Sequence, residues 1–430
     1  MLFNPVIISV TIMMILCILR TNVIIAILIS ALTAGLSSGM GLSETMSILI
    51  KGMGGNSETA LSYILLGTLA VAINNSGLAN IISLKIFKIV KNKKYILIFI
   101  IASLACLSQN LIPVHIAFIP ILIPPLLTLM NKLKIDRRAV ACALTFGLKA
   151  PYIALPVGFG LIFQTIIRDQ LIANGVSITL KNISAVNWTL GLGMFFGLLF
   201  ALFISYKNPR EYKNLTISNQ NQDSQFTKKH ALAALSTLLA FGIQLKTGSL
   251  PLGALFALIF MSITKVIPRN LFDDTLNEGV NLMGFIAFVM LVAAGFGNVI
   301  RETGAVPTLV QSIIHIIGNN KMLGASLMLF IGLFITLGIG TSFGTIPILA
   351  VIYCPLALKL GFSPQGIAVL ISAAGALGDA GSPASDSTLG PTSGLNSDNQ
   401  HNHIWDTCIP TFLHFNIPLI IFGILGAFIF

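Results

Sequence analysis

Apolar residues run along this chain in blocks of roughly twenty, cut by short polar turns. The blocks fall at 3–19, 22–42, 58–78, 138–171, 188–206, 229–246, 250–267, 279–298, 364–394 and 404–429. Bilayer thickness asks for about twenty apolar residues per spanning helix, so each block predicts a crossing. Stretches 95–131 and 321–360 instead predict pairs of short apolar helices around a polar break, the pattern of re-entrant hairpins. Blocks 138–171 and 364–394 carry Gly, Pro and polar residues in mid-span and predict broken helices. The fold expected is an all-α polytopic membrane protein with about ten spans plus two opposed re-entrant hairpins. Block 3–19 lacks a basic leader and a small-residue cleavage site, so it is expected to be retained.

The blocks come in two sets. Gly77 and Gly304 each end a span, Pro156 and Pro383 each sit in a broken one, and Gly52 and Gly279 each precede one; every pair is 227 apart. Pro113 and Pro347 in the hairpins differ by 234, which predicts a short insertion there. The shared order divides the chain into a first repeat, 1–207, a linker, 208–228, and a second repeat, 229–430. Lys85, Lys88, Lys91, Lys93 and Lys94 flank the first hairpin on one side; Lys132, Lys134, Arg137 and Arg138 flank it on the other. Basic residues beside apolar spans mark cytoplasmic loops, so this hairpin and the linker, with Lys207, Arg210 and Lys213, are expected inside. An odd number of crossings per repeat then makes the repeats inverted, a pattern of secondary transporters.

Composition narrows the class. With 55% hydrophobic and 9% charged residues in 430, a soluble protein is excluded. The net charge of +11 sits in loops beside spans, which fits topogenic signals and excludes nucleic acid as a partner. The lipid bilayer is the partner expected. Cys17, Cys106, Cys142, Cys354 and Cys408 lie singly, without a CxxC pair, as small buried hydrophobes do. The stretch from Asn214 to Lys229 is polar and is expected to be flexible.

The chemistry is expected where the breaks converge. Backbone without helical hydrogen bonds is tolerated in a bilayer only where protein or water satisfies it, and carboxylates there are costly. The run from Gly378 to Thr388 combines both, with Asp379 and Asp386 its only acids. These carboxylates, with the oxygens of Ser342 and Thr345 in the second hairpin and Asn110 in the first, can strip water from a small cation. Ser108, Gln109, His115, Lys149 and Tyr152 are the candidate substrate contacts. Lys149 has three readings: counter-charge to an acid, partner of a substrate carboxylate, or a snorkelling side chain. His115 is either a satisfied structural donor or a proton relay, and Asp386 either an ion ligand or a helix N-cap. His401, His403 and Asp406 form a polar cluster before the last span, expected as a latch rather than a metal site. Transported Na+ apart, no metal and no organic cofactor is expected.

Gly378-Asp379-x-x-Ser382-Pro383-x-Ser385-Asp386-Ser387-Thr388 resembles the signature of the sodium/proton antiporter family in the ion-transporter superfamily. That resemblance implies inverted repeats with two opposed hairpins. It also implies ion-site roles for Asp379, Ser382, Ser385, Asp386 and Thr388, a dimer, and a bacterial inner-membrane location. Ala380-Gly381 stands where the antiporters usually carry His-Cys. Gln400–Cys408 and Ser108-Gln109-Asn110 with Pro113-Val114-His115 look closer to a sister branch that includes histidine permeases.

The function expected is therefore ion-gradient-driven alternating access, as a Na+/H+ antiporter or, alternatively, as a Na+- or H+-coupled amino-acid permease. An ion channel, which conducts without coupling, is the lesser alternative. An enzyme is not expected: the chain has no HExxH and no GxSxG motif.

Overall fold

The computed structural model describes residues 4–19, 21–78, 81, 93–110, 115–213, 226–339, 342–383 and 385–430, and every regular element among them is helical. Among the described residues, four helices are long and apolar enough to cross a membrane: Leu180–Ser205, Met283–Glu302, Ser342–Lys359 and His403–Ile429. Two bent pairs, Leu42–Asn56 with Ala60–Asn75 (52°) and Arg137–Ala154 with Phe159–Ala173 (47°), raise that number to six. Other apolar blocks are shorter helices, because polar and helix-breaking residues cut them. Asn22 caps Val23–Ser37 by accepting from the Ile24 amide. Gly248, in a left-handed conformation, ends Lys228–Thr247, and Leu250–Ile263 opens with a proline in its first turn. Among the described residues, two helices escaped the apolar pattern, Leu42–Met53 and Val306–Ile317, each hidden by its polar positions.

The expected hairpins are pairs of helices: α5 (Lys94–Asn110) with α6 (His115–Lys132), and α14 (Lys321–Ile339) with α15 (Ser342–Lys359). The expected broken helices are α7 (Arg137–Ala154) with α8 (Phe159–Ala173), and α16 (Pro364–Ala376) with α17 (Asp386–Leu395). Their starts, 94, 115, 137 and 159, recur at 321, 342, 364 and 386, each 227 later. The hairpins therefore carry no insertion. The 234-residue offset came from pairing Pro347 with Pro113, whereas its counterpart is Pro120. Contacts recur in swapped order as well: Gly52 abuts Gly295, and Gly279 abuts Thr68, with 295 and 68 again 227 apart.

Aromatic and branched side chains such as Phe196, Phe200, Ile421 and Leu425 stand outward on α9 (Leu180–Phe200) and α18 (Ile409–Ile429). Polar side chains instead line the inside. A soluble protein is built the other way round; this one is dressed for lipid.

At one end of the bundle, one sequence expectation needs correction. Arg137 was taken for an exposed topogenic charge, yet it is fully buried and gives both terminal nitrogens to Asp398, at 2.6 and 2.5 Å. Its Nη1 also donates to the Leu395 carbonyl (2.9 Å), and its guanidinium lies 4.2 Å from the Tyr212 ring centre. The first part of the linker, 208–213, is held by contacts to the second half of the chain. Arg210 pairs with Asp406 at 2.8 Å, and the Lys213 amide donates to Gln400 (2.7 Å). Residues 214–225 lie outside the described part.

Removing one partner of a buried ion pair leaves the other uncompensated, at a cost of about 3–5 kcal/mol. Asp398→Ala should therefore lower stability by about 3 kcal/mol, while Arg137→Met with Asp398→Leu should recover much of that loss. Thermal unfolding in detergent, followed by intrinsic fluorescence, measures both; equal losses in the single and double variants would contradict the pairing.

Candidate functional site

The site is assembled where α7 faces the break between α16 and α17. Thr145, Lys149 and Tyr152 lie three or four residues apart, so all three project from one face of α7. Thr145 Oγ1 donates to the Ser387 carbonyl at 2.9 Å, Lys149 Nζ donates to Asp379 Oδ2, and the Tyr152 hydroxyl lies 2.7 Å from Ser342 Oγ. One helical stripe of the first half of the chain thus meets the broken helix and the hairpin of the second.

Asp379 is the centre. It is 1% exposed, and four donors reach its carboxylate. Oδ2 accepts from Lys149 Nζ, from the Ser342 amide (3.2 Å) and from Ser342 Oγ (2.5 Å), and Oδ1 accepts from Ser385 Oγ. A buried carboxylate is stable only with such pairing. Lys149, equally buried, also lies 3.9 Å from Asp386, whose side chain is 36% exposed.

The break exists because the sequence forbids helix there. Gly378 and Gly381 both take left-handed φ angles, +80° and +102°, which glycine adopts without strain. Each is also crowded: a Cβ on Gly378 would fall 2.5 Å from the Leu333 carbonyl, and one on Gly381 would fall 2.5 Å from Phe412 Cβ. The unwound backbone groups are satisfied by Asn416 on α18, which accepts from the Gly378 amide and donates to the Ala380 carbonyl, both at 2.9 Å. Ser385, not Asp386, caps α17, accepting from the Ser387 amide at 3.1 Å. Asp386 is thereby freed of the capping role and faces Lys149.

Among the candidate ion ligands, Asp379, Ser342 and Ser385 meet directly. Ser382 and Thr388 brace the turn around them: Ser382 Oγ donates to the Leu337 carbonyl (3.2 Å), and Thr388 Oγ1 donates to the carbonyls of Ser382 (2.5 Å) and Ser385 (2.9 Å). Thr345 is fully buried one turn beyond Ser342. Of the substrate candidates, Lys149 and Tyr152 belong to the site. Gln109 is buried, and its Oε1 has no hydrogen-bond partner among the described residues. The side chains of Ser108, Asn110 and His115 lie outside the described part, as do hairpin-tip residues 111–114 and 340–341. Lys149 stands as the counter-charge of Asp379. Ser387, Thr145 and Asn416 were missed as partners, because single polar residues in apolar helices carry no pattern.

The cluster near the last helix is a hydrogen-bonded network. His403 Nδ1 lies 2.8 Å from Thr392 Oγ1, which donates to Thr407 (3.0 Å), and Thr407 Oγ1 lies 2.7 Å from His401 Nε2. Among the described residues no three His, Cys, Asp or Glu side chains are grouped to hold a metal ion.

These features define a polytopic membrane transporter: buried charges at paired helix breaks inside a lipid-facing bundle. The profile of the Na+/H+ antiporter family matches residues 143–426, a second Na+-H+ antiporter family profile matches 4–90, and the chain belongs to this family. It is 50% identical to an uncharacterized membrane protein of Vibrio parahaemolyticus, over 99% of this chain and 100% of that one. It is 46% identical to YuiF of Bacillus subtilis, whose name proposes amino acid transport, over 99% and 100% of the two chains. Two solved transporters share the fold: YdaH of Alcanivorax borkumensis (TM-score 0.64, 14% identity, 99% of this chain and 98% of that one) and MtrF of Neisseria gonorrhoeae (0.60, 16%, 98% and 95%).

Two outcomes follow. Asn416→Ala orphans a buried amide and a buried carbonyl, which should cost about 1–3 kcal/mol; a denaturation midpoint unchanged from the parent would refute the bracing role. The second concerns His401, which burial pushes down to about 4, with Asp406 pulling upward and Arg137 and Arg210 pushing further down. Its Nδ1 has no partner among the described residues, so a second ring proton would lack an acceptor. The unfolded chain then binds more protons than the folded one between the ordinary 6.5 and about 4. Stability should fall as pH drops through that window, and His401→Gln should flatten the fall in a pH series of unfolding midpoints.

Proposed function

We propose that the chain is a secondary active transporter of the bacterial inner membrane, exchanging Na+ for H+, with Asp379 as the cation carboxylate and Lys149 as the charge it displaces. The observation that carries this is the Lys149 ammonium, seated on Asp379 where a cation would bind, among the hydroxyls of Ser342 and Ser385. In a site this dry, one carboxylate supports one positive charge. A Na+ ion on Asp379 leaves the ammonium with only the partly exposed Asp386 at 3.9 Å, and release of a proton relieves that cost. Binding Na+ and holding the proton are then mutually exclusive, which is the requirement for exchange.

The hydroxyls of Ser342 and Ser385 can turn their lone pairs toward a cation once Lys149 withdraws. Thr345, Ser382 and Thr388, all buried near the same turn, are further oxygen candidates, and Asn110 is the one that the sequence offers from the first hairpin. Residues 1–207 and 229–430 act as inverted repeats, with the linker 208–228 on the cytoplasmic side. Hairpins and broken helices move against the other spans to expose the site alternately. The resemblance adds a dimer as the assembly.

The name of the Bacillus relative favours an alternative, uptake of an amino acid such as histidine driven by the ion on Asp379. In that case Lys149 and Tyr152, released from Asp379 and Ser342, take the substrate carboxylate, and Ser108, Gln109 and His115 contribute from the first hairpin.

Proteoliposomes loaded with a pH-sensitive dye separate the two. A Na+ pulse should drive proton movement, and Asp379→Asn should slow it at least ~100-fold, equivalent to about 3 kcal/mol. Asp386→Asn, a half-exposed partner at the edge, should slow it by less than ~10-fold. Gradient-driven accumulation of labelled histidine without Na+-evoked proton movement would select the permease. Full activity in folded Asp379→Asn protein would sink both.

A further inference from the structure

Beyond the buried pair lies a cavity of about 380 Å³ whose lining includes Asn56, Glu58, Ser62, Thr165, Arg168 and Asp169. Leu180, the first residue of the candidate span Leu180–Ser205, also lines it. The far end of that span is Ser205, bonded to His414, next to Lys207, whose carbonyl accepts from Lys94. The cavity therefore opens on the face opposite the linker.

Ser62 and Ile162 line the cavity, and the next residue of each helix, Tyr63 and Phe163, belongs to a buried aromatic cluster. Tyr63 packs on Phe159 (5.1 Å between ring centres) and Phe343 (5.7 Å). Phe343 in turn packs on Tyr152 (5.2 Å) and Phe163 (5.7 Å). Tyr152 then reaches Ser342, and Ser342 reaches Asp379. The cluster thus connects the chain neighbours of two lining residues, Ser62 and Ile162, with the ion pair.

We propose that this cavity is the solute-entry vestibule on the face opposite the linker, that it selects for positively charged or ammonium-bearing solutes, and that the Tyr63–Phe159–Phe163–Phe343–Tyr152 cluster is its inner gate. The charge preference follows from the lining. Arg168 Nε donates to Asp169 at 2.8 Å, so these two cancel, and Glu58 remains as the net charge. A concave wall of one sign concentrates ions of the other. The role assigned rests on the transport function above, but the test reads thiol chemistry and needs no substrate.

The experiment uses full-length Thr165→Cys in sealed vesicles of both orientations, with membrane-impermeant thiosulfonate reagents, one cationic and one anionic. The parent chain, with its native cysteines, supplies the background rate. Thr165→Cys should react only from the face opposite the linker, with the cationic reagent at least ~3-fold faster, and Glu58→Gln should bring the two rates together. Ser342→Cys should be inert from that face until the cluster is opened by Tyr63→Ala or, if that variant aggregates, by Phe343→Leu. Reaction of Thr165→Cys from the linker face or from neither face would overturn the vestibule. Equal rates for the two reagents in the parent background would overturn the charge preference. An inert Ser342→Cys in a monodisperse ring variant would overturn the gate. Should these arms succeed while Asp379→Asn keeps full exchange, the ion-site assignment fails and the vestibule stands.

Discussion

Two charges buried against each other in the middle of an apolar bundle set the terms for everything around them. Taking Lys149 and Asp379 out of water costs several kcal/mol per ion, and the pair recovers this only with good geometry and further hydrogen bonds. The surroundings supply those bonds: Ser342 and Ser385 hydroxyls and the Ser342 amide on the carboxylate. That demand explains why the second broken helix is broken. A continuous helix would keep the Ser342-bearing hairpin and Asp379 at a distance; the turn at Gly378 and Gly381 folds the carboxylate inward, and Asn416 holds the turn. Helix breaks, brace and hydroxyl ring all answer to one electrostatic cost.

How much of this could be read from the residues depended on how loud each signal was. Apolar blocks and basic flanks are repeated over many residues, so hairpins and broken helices were legible nearly to their ends. The run from Gly378 to Thr388 was legible because acids and helix breakers are conspicuous in a chain with 9% charge. Asn416 was silent: one amide inside a strongly apolar helix says nothing about the turn it braces. Arg137 misled, since a basic residue beside a span reads as a topogenic charge, and only the fold brings Asp398 to it across 261 positions. The hairpin offset failed for a simpler reason. Proline recurs often in these hairpins, and matching the wrong proline invented an insertion that the helix starts do not contain.

The two faces of the bundle are closed by different physics. On the linker face the closure is ionic: Arg137 with Asp398, Arg210 with Asp406, and Gln400 bonded to the Lys213 backbone. On the opposite side the proposed gate is an aromatic cluster, Tyr63, Phe159, Phe163, Phe343 and Tyr152. Ionic contacts with exposed members weaken in salt and water, whereas stacked rings resist until an apolar surface or a rotamer change parts them. A protein closed by unlike means at its two ends can open one end without loosening the other.

The 227-residue offset gives that asymmetry an origin. Asp379 in the second half corresponds to Tyr152 in the first, and Asp386 corresponds to Phe159. Where one broken helix presents acids, its counterpart presents two rings of the buried aromatic cluster. Ser342, which donates to Asp379, corresponds to His115, and Lys149 corresponds to Ala376. The backbone is thus written twice and the chemistry once. A second carboxylate at position 152 would put a like charge beside Asp379, with Lys149 the single ammonium shared between them, and a bilayer interior does not forgive that. Duplicated architecture with Lys149, Asp379 and Asp386 gathered at one break is the arrangement that keeps the ammonium beside its carboxylates.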